Sequence, residues 1–286
     1  MTARISGVQC LVMTPFTARD ELDEEGLCNG IDFALDGGAD GVVVIGRIGE
    51  FYGLTMDERK RAIDLAVTHV AGRAPLAFGV MDATFDEGLE LARHGARAGV
   101  DYVLSRGAVD RNHVEYFSAL STELPTMAYD YSENRELGTE EIVAILEKND
   151  NLVGIKISGE PDKIADLKDH TDLPLLCGWD VMSFLAYGFG SEGVVSGSAA
   201  VFPKHEVELY HLCMAKKWKE AADLFYGHIL PLLNYCLNDP YGPAACKTVL
   251  QWQGVVSDPR PRPPFKPINE TRRNQLRRAV EWAGLL

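Results

Sequence analysis

A strand-like run followed by an amphipathic helical run recurs along this chain about every 25 to 30 residues, and no other feature restricts the fold as much. "VQCLVMTPF" precedes "LDEEGLCNGIDFALDGG", and "DGVVVIG" precedes "TMDERKRAIDLAVTHVAG", where Thr55 and Glu58 have capping-box spacing. The same succession follows for "PLAFGVM", "VDYVLS", "PTMAYDY", "NLVGIKIS", "LPLLCGW" and "EGVVSGSA". The last of these leads into "KHEVELYHLCMAKKWKEAADLF", which reads as one long helix. Eight units of this kind predict an α/β protein, a (β/α)8 TIM barrel with eight parallel strands inside and helices outside. A doubly wound sheet competes, but its dinucleotide form needs G-x-G-x-x-G after the first strand, and "TPFTAR" lacks it. Past residue 225 the alternation stops. Residues 1–225 are therefore expected to form the barrel, and 226–286 a C-terminal helical extension packed on it.

The balance of charge removes some functions. A formal net charge of −14 argues against nucleic acid, which binds clustered basic charge. No apolar run is long enough to span a membrane, and "MTARISGVQC" does not read as a signal peptide, so a cytoplasmic protein is expected. The six cysteines, Cys10, Cys28, Cys177, Cys213, Cys236 and Cys246, form no C-x-x-C pair and read as reduced, buried small side chains. His205 and His211 are too far apart for a one-face metal pair, and no metal is expected. "GVVSG" places its serine one position late for G-x-S-x-G, and a P-loop is missing, which disfavours hydrolase and nucleotide chemistry.

The sixth strand carries the chemical signal. In "VGIKIS", Gly154, Lys156 and Ser158 share one face, with Val153, Ile155 and Ile157 on the other. The β-branched face belongs against helices, so Lys156 is expected to point into the barrel near the strand's carboxyl end, where this fold keeps its reactive groups. Two readings of such a lysine compete. One is an internal ion pair, with Glu50 or Asp180 as partner. The other is an amine made partly neutral by burial, able to attack a carbonyl and form a Schiff base. Two neighbours favour the second. The glycines of "GRIGEF", residues 46–51, let backbone N–H groups approach an anion, and Tyr129 ends the adjacent fifth strand.

With those residues in hand, the chain resembles the dihydrodipicolinate synthase / N-acetylneuraminate lyase family of Schiff-base aldolases and dehydratases. The likeness runs through "VMTPFTARDELD", "GRIGEFYGLTMDERK", "AYDYSENR", "VGIKISGE", "CGWD", "GVVSGSAAVFP" and "PRPPFKP". It implies Lys156 as the imine-forming nucleophile and Tyr129 as the proton shuttle. It also implies a substrate site around Gly46, Arg47, Ile48 and Gly49, with backbone amides around Ile48 and Gly49 holding a carboxylate, and around Asp180, Ser196 and Gly197. The implied ligand is pyruvate or another small 2-oxo acid, with no cofactor or metal, in a homo-oligomer, either a tetramer or a dimer.

The departures narrow the resemblance. Arg47 and Ile48 stand where many members have two threonines, so a hydroxyl relay through the first is lost. "YVLSRGAVDRN" puts Ser105 and Arg106 near the place of a second tyrosine donated between subunits. "YDYSENR" replaces Y-N-x-P, with Arg135 near an arginine that some synthases carry, and Val181 follows Asp180 where sialic acid lyases have a glutamate. These features count against dihydrodipicolinate synthase and sialic acid lyase proper. They favour a lyase for another acidic 2-oxo compound, with Arg47 and Arg106 as candidate partners for a second carboxylate. The competing expectation for Arg106 is a solvated or subunit-contact residue. A barrel that binds a 2-oxo acid without turning it over is the alternative function.

Overall fold

The structure is a computed structural model that describes residues 4–132, 135–237 and 240–286. Eight parallel strands close into a barrel: β1 (Gly7–Leu11), β2 (Gly41–Val44), β3 (Leu76–Val80), β4 (Tyr102–Ser105), β5 (Thr126–Tyr129), β6 (Leu152–Ile157), β7 (Leu175–Cys177) and β8 (Gly193–Ser196). Every strand pairs with its neighbour in sequence and β8 returns to β1, as the alternation predicts. The strands are buried almost throughout, which suits a sheet covered by helices outside and filled by side chains inside. Low in that interior, Tyr102 donates a 3.1 Å hydrogen bond to Gln9.

Helices α1 (Glu24–Asp36), α2 (Met56–Val70), α3 (Phe85–Ala98), α4 (His113–Glu123), α5 (Thr139–Leu146), α6 (Asp162–Lys168), α7 (Ser183–Gly188) and α8 (Pro203–Met214) cover the barrel. Thr55 and Glu58 form the expected reciprocal cap at the start of α2, and Thr84 with Glu87 repeats it on α3. The long helix expected after β8 is divided. α8 ends at Met214, Lys216 takes a left-handed conformation (φ 59°), and α9 (Trp218–Leu224) begins again. Neither glycine nor proline marks that break, so periodicity alone runs straight across it.

α9 continues through a π-helical turn, Phe225–Ile229, into α10 (Leu230–Cys236), followed by α11 (Gly242–Trp252) and α12 (Glu270–Trp282). α11 is buried from Gly242 to Leu250, including Lys247. Lys247 forms an ion pair with Glu50, and both side chains are shut off from solvent. The other Glu50 oxygen accepts the Arg262 N–H at 2.7 Å. The glutamate of "GRIGEF" thus ties the carboxyl ends of the strands to α11 and to the proline-rich segment that follows. Five of the cysteines are buried and Cys28 is half-buried. No helix among the described residues is long and apolar enough to cross a membrane.

Candidate active site

Tyr129 and Lys156 are direct partners across the β5–β6 pair, the last rung before both strands end. The parity argument holds. Lys156 enters a cavity of about 500 Å³ at the carboxyl end of the barrel, while Ile155 faces Ile142 and Ile145 of α5. Lys156 Nζ stands 4.3 Å from the centre of the Tyr129 ring. Gly178, just past β7, leaves the room this requires: a Cβ there would sit 2.3 Å from Lys156 Cε. Neither proposed ion-pair partner reaches the lysine. Glu50 is taken by Lys247 and Asp180 by serines, and no carboxylate among the described residues pairs with Lys156.

The rung is clamped from behind by Asp130. Its N–H donates to the Lys156 carbonyl at 3.0 Å, its Oδ1 accepts the Ser158 N–H at 2.8 Å, and its Oδ2 pairs with Lys163 at 3.0 Å. Burial raises the Asp130 pKa, against the opposing pull of Lys163. Ser158 Oγ donates to the Tyr129 hydroxyl at 3.1 Å. Burial pushes that phenol up, but the charges of Lys156 and Arg106, with hydrogen bonds from Ser158 and Arg106, outweigh it. Tyr129 ends below the ordinary tyrosine pKa.

Above the rung lies the loop between β2 and α2. Thr14, the threonine of "TPF", donates to the Gly49 carbonyl at 2.6 Å, and the Phe51 N–H closes back on Gly46 at 3.2 Å. Ile45 and Glu50, on either side, adopt left-handed conformations, an unusual cost for a β-branched residue. Among the described residues the Ile48 and Gly49 N–H groups have no acceptor. Arg47 and Ile48 line the cavity, whereas Gly46 and Gly49 shape the turn behind them. A Cβ on Gly49 would press to 3.0 Å from the Val12 carbonyl.

Arg106 corrects the surface expectation: it is only 4% exposed and lines the cavity. It pairs with Asp82 at 2.8 Å and meets the Tyr52 hydroxyl at 3.2 Å, while Tyr52 donates to the same Asp82 oxygen at 2.5 Å. The guanidinium carbon lies 4.9 Å and 5.1 Å from the ring centres of Tyr129 and Tyr131. Asp82, directly past β3, turns toward it in a left-handed conformation (φ 50°). Arg135 pairs with Glu141 of α5 and does not line the cavity.

On the opposite side, Asp180 accepts from Ser196 Oγ at 2.6 Å, from the Ser198 N–H at 3.0 Å and from the Gly197 N–H at 3.4 Å. Asp180 and Gly197 line the cavity, and Ser196 is fully buried behind them as a support. Several lining residues escaped the sequence reading. Tyr131 and Glu136 come from a two-residue antiparallel ladder after β5, and Leu233, Asn234 and Leu237 come from the α10 region, far away in sequence.

Against known proteins, the pattern of the Dihydrodipicolinate synthetase family matches residues 4–283. The 4-hydroxy-tetrahydrodipicolinate synthase of Methanopyrus kandleri is 31% identical, over 100% of this chain and 99% of its own length. That of Desulfotalea psychrophila is 29% identical over 99% and 98%. The solved structure of YagE from Escherichia coli K12, a prophage protein of the dihydrodipicolinic acid synthase family in complex with pyruvate, superposes with a TM-score of 0.91. The identity is 25%, and the match covers 99% of this chain and 100% of that one. YagE carries an aldolase name and the others a synthase name, so relatives at this distance share a scaffold and a class of chemistry more than a substrate. The chain belongs to the dihydrodipicolinate synthetase family and is an aldolase-type enzyme of it.

Proposed function

We propose that the protein is a Schiff-base-forming lyase for a pyruvate-type or 2-oxo-3-deoxy acid, with Lys156 as nucleophile and Tyr129 as proton shuttle. The observation that carries this is the clamped Tyr129–Lys156 rung in a cavity where no described carboxylate pairs with the lysine. The lysine nitrogen adds to the C2 carbonyl, and the resulting carbinolamine loses water to leave the imine. Tyr129, with its pKa held down by two cationic neighbours, takes and returns the protons of those steps. The unpartnered Ile48 and Gly49 N–H groups receive the substrate carboxylate. The imine then accepts the electron pair released when a C–C bond breaks or when C3 loses its proton, giving an enamine that is protonated at C3 after cleavage or, in a dehydration, expels the C4 hydroxyl as water.

Arg47 and Arg106 in the lining support a substrate with a further anionic group, and a homo-oligomer belongs to the same reading. Borohydride trapping with pyruvate, followed by peptide mass spectrometry, tests the nucleophile. A reduced pyruvyl adduct on Lys156 is expected in the native chain and none in Lys156→Met. Failure of pyruvate and a panel of larger 2-oxo acids to give an adduct would overturn the proposal. A binding barrel without turnover is favoured by one observation, Ile48 and Arg47 in place of hydroxyl side chains. An adduct with no product from any 2-oxo acid would establish that alternative.

A further inference from the structure

Behind the cavity wall three side chains stand in line: Asp180 after β7, Ser198 after β8 and Glu206 in the first turn of α8. Ser198 Oγ lies 2.6 Å from Asp180 Oδ1 and 2.6 Å from Glu206 Oε1. A serine hydroxyl carries one hydrogen and can donate to only one of them. Ser196 Oγ belongs to the same cluster, 2.6 Å from Asp180 Oδ1 and 2.9 Å from Ser198 Oγ, and accepts the Ala199 N–H at 2.9 Å, so the two serines bring two hydrogens to three 2.6 Å contacts. With both carboxylates ionised, one of these short contacts would set lone pair against lone pair where Glu206 is wholly buried. One more hydrogen is needed, and it belongs on Glu206, whose Oε2 has no partner, rather than on Asp180, which also accepts the Ser198 and Gly197 N–H groups. Glu206 carries a hydrogen and donates it to Ser198 Oγ, and Ser198 donates its own to Asp180, at a length usual for O–H···O⁻ bonds.

We infer that Glu206 is a positioning residue, a neutral carboxylic acid that acts through Ser198 to hold the Asp180 carboxylate toward the cavity, where it accepts a hydroxyl of a hydroxylated 2-oxo acid. The inference deepens the proposed function and rests on the cavity being the substrate site.

The surroundings agree with a neutral Glu206. Its Oε2 has no partner, and among the described residues no cation pairs with either oxygen. The ionisable groups near it are Asp180, Cys177 at the end of β7 and Tyr187 of α7, none of which brings positive charge. Burial, followed by the charge of Asp180, raises its pKa to about 8. Loss of the Glu206 proton would leave two carboxylates competing for one hydroxyl hydrogen, and Asp180 would lose a donor. Glu206→Gln keeps the count, since an amide N–H can donate to Ser198 at any pH.

Two readouts on the full chain test this, with native protein and Glu206→Gln side by side. Infrared difference titration of the free protein should show a carboxylic-acid carbonyl band that disappears with a midpoint near pH 8, absent from Glu206→Gln. An unchanged band in the variant, or none in the native protein, overturns the protonated Glu206. The second readout is the concentration giving half-maximal borohydride trapping, for pyruvate and for a 2-oxo-3-deoxy hexonate, from about pH 6 to about pH 9.5. For the hexonate it should rise up to about tenfold per pH unit above the midpoint in native protein and stay level in Glu206→Gln. For pyruvate, which has no hydroxyl to lose, the two proteins should coincide. The same alkaline rise in both proteins overturns the positioning role. No trapping with either ligand overturns the reading of Lys156 and the positioning role with it, while the infrared band still decides where the proton resides.

Discussion

Tyr129 and Lys156 face each other on the last rung of β5 and β6, with the lysine nitrogen 4.3 Å from the ring centre and the rung clamped by Asp130. The pair is held by backbone pairing and does not depend on a flexible loop, so geometry survives the loss of either side-chain function. Tyr129→Phe should therefore keep the fold and still reach full trapping of pyruvate on Lys156. Its turnover should fall by about 10²- to 10⁴-fold, the usual worth of a positioned acid–base group. Steady-state rates beside end-point trapping check this, and turnover within a few-fold of native would remove the phenol from the proton path.

The low pKa of Tyr129 has a cause that can be edited. Removing the guanidinium in Arg106→Met takes away one of the two charges that oppose burial, so the phenol should titrate at higher pH than in native protein. Ultraviolet difference titration, with Tyr129→Phe as the blank, measures it. A downward move would show that Asp82 and Tyr52, and not Arg106, control the ring.

Arg47 separates substrates. If it meets a second anionic group, Arg47→Ala should weaken kcat/KM for dicarboxylic 2-oxo acids by about 10- to 100-fold more than for monocarboxylic ones. That is the worth of a charge-assisted hydrogen bond. Equal losses for both classes would remove the second-anchor role.

Lys247 and Glu50 should matter for stability. Both are fully buried, so Lys247→Met strands a carboxylate and should cost roughly 3–5 kcal/mol in denaturant unfolding. The double variant Lys247→Met, Glu50→Leu should recover much of it, because an apolar pair leaves no charge uncompensated. A double variant as unstable as the single one would assign the loss to packing instead.

Glu206 predicts a slope in stability. Its folded pKa is raised to about 8, so the native state keeps a proton that the unfolded chain has released above the ordinary glutamate range. The stabilisation is complete below that range and is lost as pH rises through about 8, with the folding equilibrium falling up to about tenfold per pH unit between. Urea midpoints of native protein and Glu206→Gln across the window should converge toward its acid end and separate toward its alkaline end. Parallel curves would contradict a neutral Glu206.

The barrel was legible because two periodicities, two and 3.6, alternate cleanly, and strand parity alone sent Lys156 inward. Tyr129 followed from ending the neighbouring strand. The break at Lys216 left no trace because a left-handed lysine has no compositional signature. The ladder bringing Tyr131 and Glu136 to the cavity has two-residue strands, too short for any alternation to register. Glu206 and Lys247 sit in helical stretches where a charged residue reads as solvated, and only the packing of distant segments shows them to be interior. The choice between the two readings of Arg106 was hidden for the same reason, since burial of a charge depends on a partner, here Asp82, contributed by another strand end.

α10 supplies cavity wall, and Glu50 fastens the barrel to Lys247 and Arg262. During synthesis, all eight strands leave the ribosome before that wall does. A nascent chain halted after β8 carries Lys156 and Tyr129 but has an open pocket and a buried-type glutamate with neither partner. The cavity wall cannot be completed, nor Glu50 meet both of its partners, until the chain has emerged beyond Arg262.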